Sequence, residues 1–242
     1  MKKTIFEKDC KARLHITKSN SKLGNMASLG YVPSNDIITL KSGALVSDCK
    51  GTCGKVNCSE CKKNCYAIRS YRQYNGKTLA CIENTLQMRE TPLTHFEEIS
   101  NYIKENNVAV FRYLESGEIE SYRQFEYFVD MVKDNPETLF YMYTKNYDVL
   151  FTFFFVSMKK LPRNLTVLLS VWGKTGKPEF SKFERFQGIK CFAVNSDLPV
   201  DCFCPAYTKD NDGKVKLNKN MTCEKCGLCF RSTAKIIGCY EH

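Results

Sequence analysis

Twelve of the fourteen cysteines in this 242-residue chain fall into two clusters, which restricts how the chain can fold. Thiols two or three residues apart can converge on one point, and convergent thiolates are typical ligands of metals. We therefore expect metal to cross-link the fold at two places. The candidate ligands are Cys49, Cys53, Cys58, Cys61 and Cys65 in the first cluster, and Cys202, Cys204, Cys223, Cys226, Cys229 and Cys239 in the second.

The cellular compartment decides between metal binding and disulfides. Residues 1–10 are positively charged but lack the apolar core and the small-residue cleavage site of a secretory signal. The longest apolar run, residues 149–158, is too short to cross a bilayer. The sequence therefore predicts a cytoplasmic protein with no membrane partner, in which thiols stay reduced and metal binding is favoured over disulfides.

Apolar runs typical of strands alternate with helical patterns through the middle of the chain. Strands are predicted over residues 36–40, 108–114, 139–143, 165–171 and 189–194, and helices over 65–88, 92–106, 119–134, 147–160 and 180–186. Strands that are apolar on both faces and separated by helices indicate a parallel sheet. We expect an α/β fold, either a partial (β/α) barrel or a parallel sheet with helices.

The predicted α/β domain covers residues 1–200 and carries the Cys-rich loop 49–65. A Cys-rich metal-binding appendage, residues 201–242, is expected to pack on it. Polar side chains directly follow each of the four central predicted strands, for example Ser116, Gly117 and Glu118 after the first and Lys145 after the second. Because sites in parallel α/β folds form at the carboxyl ends of strands, these loops predict an active-site face.

The C-x2-C-x2-C motif that begins at Cys223 has the spacing with which bacterial ferredoxins hold three irons of a [4Fe–4S] cluster. The fourth ligand in those proteins precedes a proline, as Cys204 precedes Pro205. Cys202 and Cys239 are the alternatives for this position. Zinc held by Cys202, Cys204 and two cysteines of the motif is the competing interpretation.

The first cluster has one cysteine more than a single site requires. Cys53, Cys58, Cys61 and Cys65 are the main candidates, and Cys49 either replaces one of them or is not a ligand. Four lysines lie beside or between these cysteines, and nearby positive charge favours thiolate. Three ligands with one open metal position would be typical of a catalytic site, and four of a structural site.

The basic composition indicates an anionic partner. The net charge is +10, which suits nucleic acid, although a soluble basic surface explains it equally well. A basic and aromatic stripe has the composition that stacks on bases and neutralises phosphates, and it consists of Tyr66, Arg69, Tyr71, Arg72 and Tyr74. Nucleic acid and a host protein are therefore the candidate partners, and the oligomeric state is not indicated. His15 and His95 are expected at the surface.

The order of elements resembles that of radical S-adenosylmethionine (radical SAM) enzymes. A cysteine loop follows a first strand, and a helix, a second strand and the turn 116–118 come next. The resemblance implies that Cys58, Cys61 and Cys65 hold a [4Fe–4S] cluster with one open iron. It also implies that the turn Ser116-Gly117-Glu118 contacts the amino group of S-adenosylmethionine. The spacing here is C-x2-C-x3-C, the reverse of the C-x3-C-x2-C of that superfamily.

Five motifs spread along the chain are shared with one further family. They are residues 19–24, 65–67, 111–119, 140–145 and 223–229. These motifs resemble the bacteriophage family of Cys-rich proteins called gene product eighty-eight, and the resemblance covers most of the chain. It implies metal binding, a phage or mobile-element origin and hence the host cytosol as the location, without an established reaction.

Two functions are consistent with these patterns. The first is an iron–sulfur enzyme of radical-SAM type that acts on a nucleic acid or protein substrate, with Glu118 contacting the cofactor and Arg112, Lys145 and Ser170 contacting the substrate. The second is a non-enzymatic protein, stabilised by iron–sulfur clusters or zinc, that binds nucleic acid or a host protein. The fold alone does not choose between these functions. Zinc without sulfide would exclude the first, and if iron is present, the formation of 5′-deoxyadenosine from S-adenosylmethionine decides between them.

Overall fold

A computed structural model describes residues 10–34, 49–54, 61, 63, 65–173 and 177–240. The opening strand predicted at 36–40 and the candidate ligand Cys58 lie outside the described residues.

The described residues contain nine strands and seven α-helices. The strands are β1 (Ala27–Ser28), β2 (Val110–Tyr113), β3 (Leu139–Thr144), β4 (Leu165–Trp172), β5 (Ile189–Val194), β6 (Cys202–Phe203), β7 (Tyr207–Lys209), β8 (Val215–Leu217) and β9 (Ile236–Cys239). The helices are α1 (Tyr66–Gln73), α2 (Asn75–Glu90), α3 (Pro92–Glu105), α4 (Tyr122–Lys133), α5 (Tyr147–Phe151), α6 (Lys177–Phe183) and α7 (Cys223–Cys226). A π-helical turn, Thr152–Val156, directly continues α5.

The four central strands are confirmed, and the helix boundaries differ from the prediction for local reasons. Helix α4 begins at Tyr122 because Ser121 is extended and its Oγ accepts a hydrogen bond from the Gln124 amide at 3.2 Å. The helix predicted over 147–160 is a short α-helix followed by the π-turn, which ends at Val156. Pro92 at the start of α3 suits the first helical turn, where its missing N–H is not needed.

Seven strands form one parallel sheet in the order β1-β2-β3-β4-β5-β9-β6. Because β1 to β5 follow one another in sequence order, right-handed crossovers place their connecting helices on one face. Phe111 of β2 and Phe140 of β3 are register partners on this face and pack with Phe125 and Phe128 of α4. The expected α/β fold, a parallel sheet with helices, is confirmed.

The other face of the sheet is covered by the Cys-rich segment and by residues near Leu23. Tyr141 of β3 stacks on Phe230 with ring centroids 5.0 Å apart. Backbone hydrogen bonds join the Cys223 amide to the Lys22 carbonyl at 2.9 Å and the Glu224 amide to the Leu23 carbonyl at 3.1 Å. This segment also supplies β6 and β9, so the part of the chain after residue 200 extends the sheet as well as covering it.

The surface prediction for His95 is wrong. This side chain is fully buried, and its ring nitrogens lie 2.8 Å from the Tyr31 hydroxyl and 2.8 Å from Gln87 Oε1. The Tyr31 hydroxyl also lies 2.7 Å from that of Tyr113. Burial lowers the pKa of His95 to about 3, so the ring is neutral in this polar network. His15 stays partly exposed and pairs with Glu83.

Candidate metal and ligand site

Cysteines of both clusters line one cavity of about 180 Å³. The cavity lies on the face of the sheet that Arg112, Tyr143 and Ser170 occupy, opposite the face packed against the helices. The cysteines on its wall are Cys53, Cys61 and Cys65 from the first cluster and Cys204, Cys223, Cys226, Cys229 and Cys239 from the second. The fold therefore brings the two clusters, which are far apart in sequence, to one site.

Two predicted ligands lie outside the cavity wall. Cys49 is buried in a small apolar cluster with Val32 and Ile82. Cys202 is on the edge strand β6, and it is half-buried. Of the alternatives for the fourth ligand of the second cluster, the cavity therefore holds Cys204 and Cys239.

A short helix shapes the second cluster. Thr222 caps α7, because its Oγ1 accepts a hydrogen bond from the Lys225 amide at 3.3 Å. Gly227 ends the helix with φ +67°, a conformation that costs glycine little, and the turn brings Cys229 back to the cavity. Lys190 of β5 fixes the next turn, since its Nζ donates to the carbonyls of Leu228 at 3.0 Å and Ser232 at 2.7 Å.

The chemistry of these thiols suits metal binding. Burial raises the pKa of Cys229 to about 12 and raises the pKa values of Cys223 and Cys226. A bound cation offsets this cost, because metal coordination deprotonates a thiol. A hydrogen bond from Cys239 lowers the pKa of Cys204 below its ordinary value. Among the described residues, no three His, Cys, Asp or Glu side chains already form a site for a single metal ion.

Arg112 is a buried cation on the cavity wall. Its side chain is held over the Tyr143 ring, with 4.9 Å from Cζ to the ring centroid, and its Nη2 donates to the Tyr66 hydroxyl at 3.2 Å. Within the part of the chain that the structure describes, its Nε has no hydrogen-bond partner. Lys22 lies on the same wall and donates from Nζ to the Tyr207 hydroxyl at 3.2 Å. The wall therefore combines thiols with fixed positive charge.

Glu118 joins the loops that follow β2 and β3. Its carboxylate accepts hydrogen bonds from the Thr144 hydroxyl at 2.6 Å, the Lys145 amide at 2.8 Å and the Ile119 amide at 2.9 Å. Burial raises the pKa of Glu118, although these three hydrogen bonds oppose the shift. The side chain is buried at the cavity wall, where its oxygens are held in place by the three donors.

Lys145 lies among the first cluster of cysteines. Burial lowers its pKa, but the neighbouring Cys61 and Glu118 raise it more, so the pKa lies above its ordinary value. Burial also raises the pKa of Cys53 to about 12, and the Glu118 charge adds to this shift. The ammonium group is therefore placed to compensate negative charge on Cys61 and Cys53.

The turn at 116–118 is rigid. The Ser116 hydroxyl donates to the Tyr31 carbonyl at 2.9 Å. Gly117 has φ +79°, and a Cβ atom there would lie 2.6 Å from Thr52 Oγ1 and 2.9 Å from Tyr31 Cβ, so only glycine fits. The predicted contact of Ser116, Gly117 and Glu118 with a cofactor stays a prediction, and all three residues line the cavity.

Sequence reasoning missed Tyr143, Lys22 and Tyr207 as cavity residues. Tyr143 follows Tyr141 on the same face of β3, and its hydroxyl lies 2.9 Å from Cys229 Sγ. The alternation of side chains along β3 could have placed it on this face, but nothing local identifies its partner Cys229. Lys22 lies in the motif at residues 19–24, and this motif was the sequence feature that could have indicated its importance.

The basic and aromatic stripe of α1 does not form one surface. Tyr71 is buried, whereas Arg69 and Tyr74 are exposed. The Tyr66 hydroxyl donates to the Glu115 carbonyl and accepts from Arg112, so this residue belongs to the cavity wall. The exposed members of the stripe are Tyr66, Arg69 and Tyr74, so it presents one exposed arginine.

The fold and the site define an α/β protein with a cysteine-lined cavity on the face of a parallel sheet opposite its helices. The chain belongs to the Gene product 88 family, whose family model matches residues 8–232. The predicted phage family is thereby confirmed. No match was found among curated proteins or among solved structures. None of the helices described is both long enough and apolar enough to cross a bilayer.

Proposed function

We propose that this protein binds an iron–sulfur cluster in the cavity, with Cys223, Cys226, Cys229 and Cys204 as ligands. The observation that carries the proposal is that eight cysteines from both clusters line one cavity. The motif spacing is that of a [4Fe–4S] site, and the buried thiols need a cation to become thiolates. Arg112 on the same wall offsets the negative charge that a four-thiolate cluster carries.

We further propose that the cavity is an active site of radical-SAM type. Cys61 and Cys65, with Cys58 as the third ligand, would hold a second cluster, and S-adenosylmethionine would bind at the turn 116–118. When bound, such a cluster would supply an electron for the reductive cleavage of S-adenosylmethionine. The position of this turn and of Lys145 beside the first cysteine cluster supports the proposal. A nucleic acid or a protein is the proposed class of substrate, and Arg112, Lys145 and Ser170 are its proposed contacts.

The second candidate function is a non-enzymatic protein that binds nucleic acid or a host protein. The hydrogen bond from the Cys223 amide to the Lys22 carbonyl favours this function, because metal bound at Cys223 would stabilise a contact between two segments that are distant in sequence. Zinc would serve this purpose as well as an iron–sulfur cluster.

Metal analysis after anaerobic purification tests the iron–sulfur proposal. We expect iron and acid-labile sulfide in similar amounts, and we expect Cys226→Ser to lose iron and to melt at a lower temperature. Cys10→Ser is the matched control, because Cys10 is half-buried and does not line the cavity. Zinc without sulfide in the wild type, or unchanged iron content in Cys226→Ser, would contradict the proposal.

Formation of 5′-deoxyadenosine tests the enzymatic proposal. The reduced, iron-loaded protein is expected to cleave S-adenosylmethionine, and Cys61→Ser is expected to abolish the product. Chromatography of the reaction mixture measures it, with Cys10→Ser again as the control. An iron-loaded protein that forms no 5′-deoxyadenosine would favour the non-enzymatic function.

A further inference from the structure

Tyr143 of β3 contacts Cys229, one of the proposed cluster ligands. Its hydroxyl lies 2.9 Å from Cys229 Sγ. A thiolate has no proton to donate, so when Cys229 binds metal this hydrogen bond runs from the Tyr143 hydroxyl to the sulfur. Such hydrogen bonds withdraw electron density from the ligand and are among the features that set the reduction potential of an iron–sulfur cluster.

Positive charge surrounds the same ligands. The guanidinium of Arg112 lies over the ring of Tyr143, whose hydroxyl contacts Cys229, and it lines the same cavity as Cys223 and Cys229. Lys190 is also buried, and its Nζ donates a hydrogen bond to the carbonyl of Leu228, the residue before Cys229. Burying such cations is costly unless negative charge compensates them, and in a medium of low polarity each added electron interacts strongly with them.

In an iron–sulfur centre, these groups would also act on the added electron. Reduction adds one negative charge to a buried four-thiolate cluster. The hydrogen bond to Cys229 and the charge of Arg112 both stabilise that extra charge, and they therefore raise the reduction potential. The centre also faces the cavity that contains the first cysteine cluster, where an electron would be used.

We propose that the C-terminal cysteine centre is redox-active and that Tyr143 and Arg112 set its reduction potential. Tyr143 does so by its hydrogen bond to Cys229, and Arg112 by its fixed charge. The inference rests on the proposed iron–sulfur function. In the redox step one electron enters from an external low-potential one-electron donor, no bond is made or broken, and the electron leaves to the iron–sulfur cluster proposed at the first group of cysteines.

Two tyrosines on one strand allow a matched test. Tyr143→Phe removes a hydroxyl that contacts a ligand sulfur, whereas Tyr141→Phe removes a buried hydroxyl with no hydrogen-bond partner among the described residues. Both residues lie on β3 and face the same side of the sheet. The midpoint potential is measured anaerobically in the full-length, iron-loaded protein by titration with dithionite, followed by absorbance and electron paramagnetic resonance. The spectroscopic signal that is present in the wild type and absent from Cys226→Ser is assigned to the C-terminal centre.

We expect Tyr143→Phe to retain its iron and to titrate at a more negative potential, and Tyr141→Phe to titrate like the wild type. Arg112→Gln is the second variant, and it is expected to shift the potential in the same direction. Iron-loaded Tyr143→Phe and Arg112→Gln proteins with the wild-type potential would overturn this inference alone. A C-terminal centre that dithionite cannot reduce would do the same. A wild-type protein that contains zinc only would overturn the iron–sulfur proposal and this inference together.

Discussion

Replacement of Glu118 by alanine is expected to lower the free energy of unfolding by about 3 kcal/mol. The substitution leaves the Thr144 hydroxyl and the amides of Lys145 and Ile119 without their acceptor. These donors lie at a buried junction between the loops after β2 and β3, where water does not fully replace the carboxylate. Denaturant unfolding measures the loss.

Two variants separate this effect from a general effect of removing charge. Glu118→Gln keeps one carbonyl oxygen and is expected to lose less stability than Glu118→Ala. Glu120→Ala removes a partly exposed carboxylate that pairs with Arg89 at 2.7 Å, and such pairs contribute about 1 kcal/mol or less. If Glu118→Ala and Glu120→Ala lost equal amounts of stability, the three hydrogen bonds of the Glu118 carboxylate would not stabilise the junction between the two loops.

The protein is expected to lose about 2 kcal/mol of stability between pH 7 and pH 5 because of His95. Burial lowers the pKa of His95 to about 3, whereas the ordinary value is 6.5. As the pH falls below 6.5, the unfolded chain binds a proton that the folded protein does not bind until about pH 3. The contribution is therefore complete above pH 6.5 and is lost progressively towards pH 3.

His95→Gln isolates this contribution. Glutamine does not titrate in this range, so the variant should lack the His95 part of the pH dependence. The comparison with the variant is needed because the pKa of Glu118 is raised in the folded protein, so that this group increases stability as the pH falls. Unfolding in denaturant at pH 7 and at pH 5 gives the difference for both proteins. Equal losses in the variant and the wild type would show that His95 is accessible to protons in the folded state.

The central strands could be predicted because each is a predominantly apolar run of at least four residues between helical patterns, as in β4 (Leu165–Trp172). The strands β1 and β6 were missed because two residues leave too little pattern. The strand β9 is as long as β2, but its residues were assigned to the metal-binding appendage and not to the sheet. β9 lies between β5 and β6, and this placement depends on pairing between distant segments.

The part of the site that lies in the loops after the central strands could be predicted. Glu118 and Lys145 both line the cavity, because the loops after parallel strands gather at one edge. The convergence of both cysteine clusters was not predictable, since spacing describes only local geometry. The link between Tyr143 and Cys229 spans 86 residues, and His95 lacks any local pattern that marks it as buried.

The backbone hydrogen bond between Cys223 and Lys22 joins two segments that are about 200 residues apart, which affects the order in which the protein folds. Contacts between segments so distant in sequence form slowly, because the entropy of closing a long loop must be overcome first. The cavity wall is therefore expected to become complete late in folding, and insertion of the proposed iron–sulfur cluster would then be a late maturation step. Until then the thiols would be open to oxidation, so the yield of cluster-loaded protein is expected to depend on how quickly iron and sulfide are supplied.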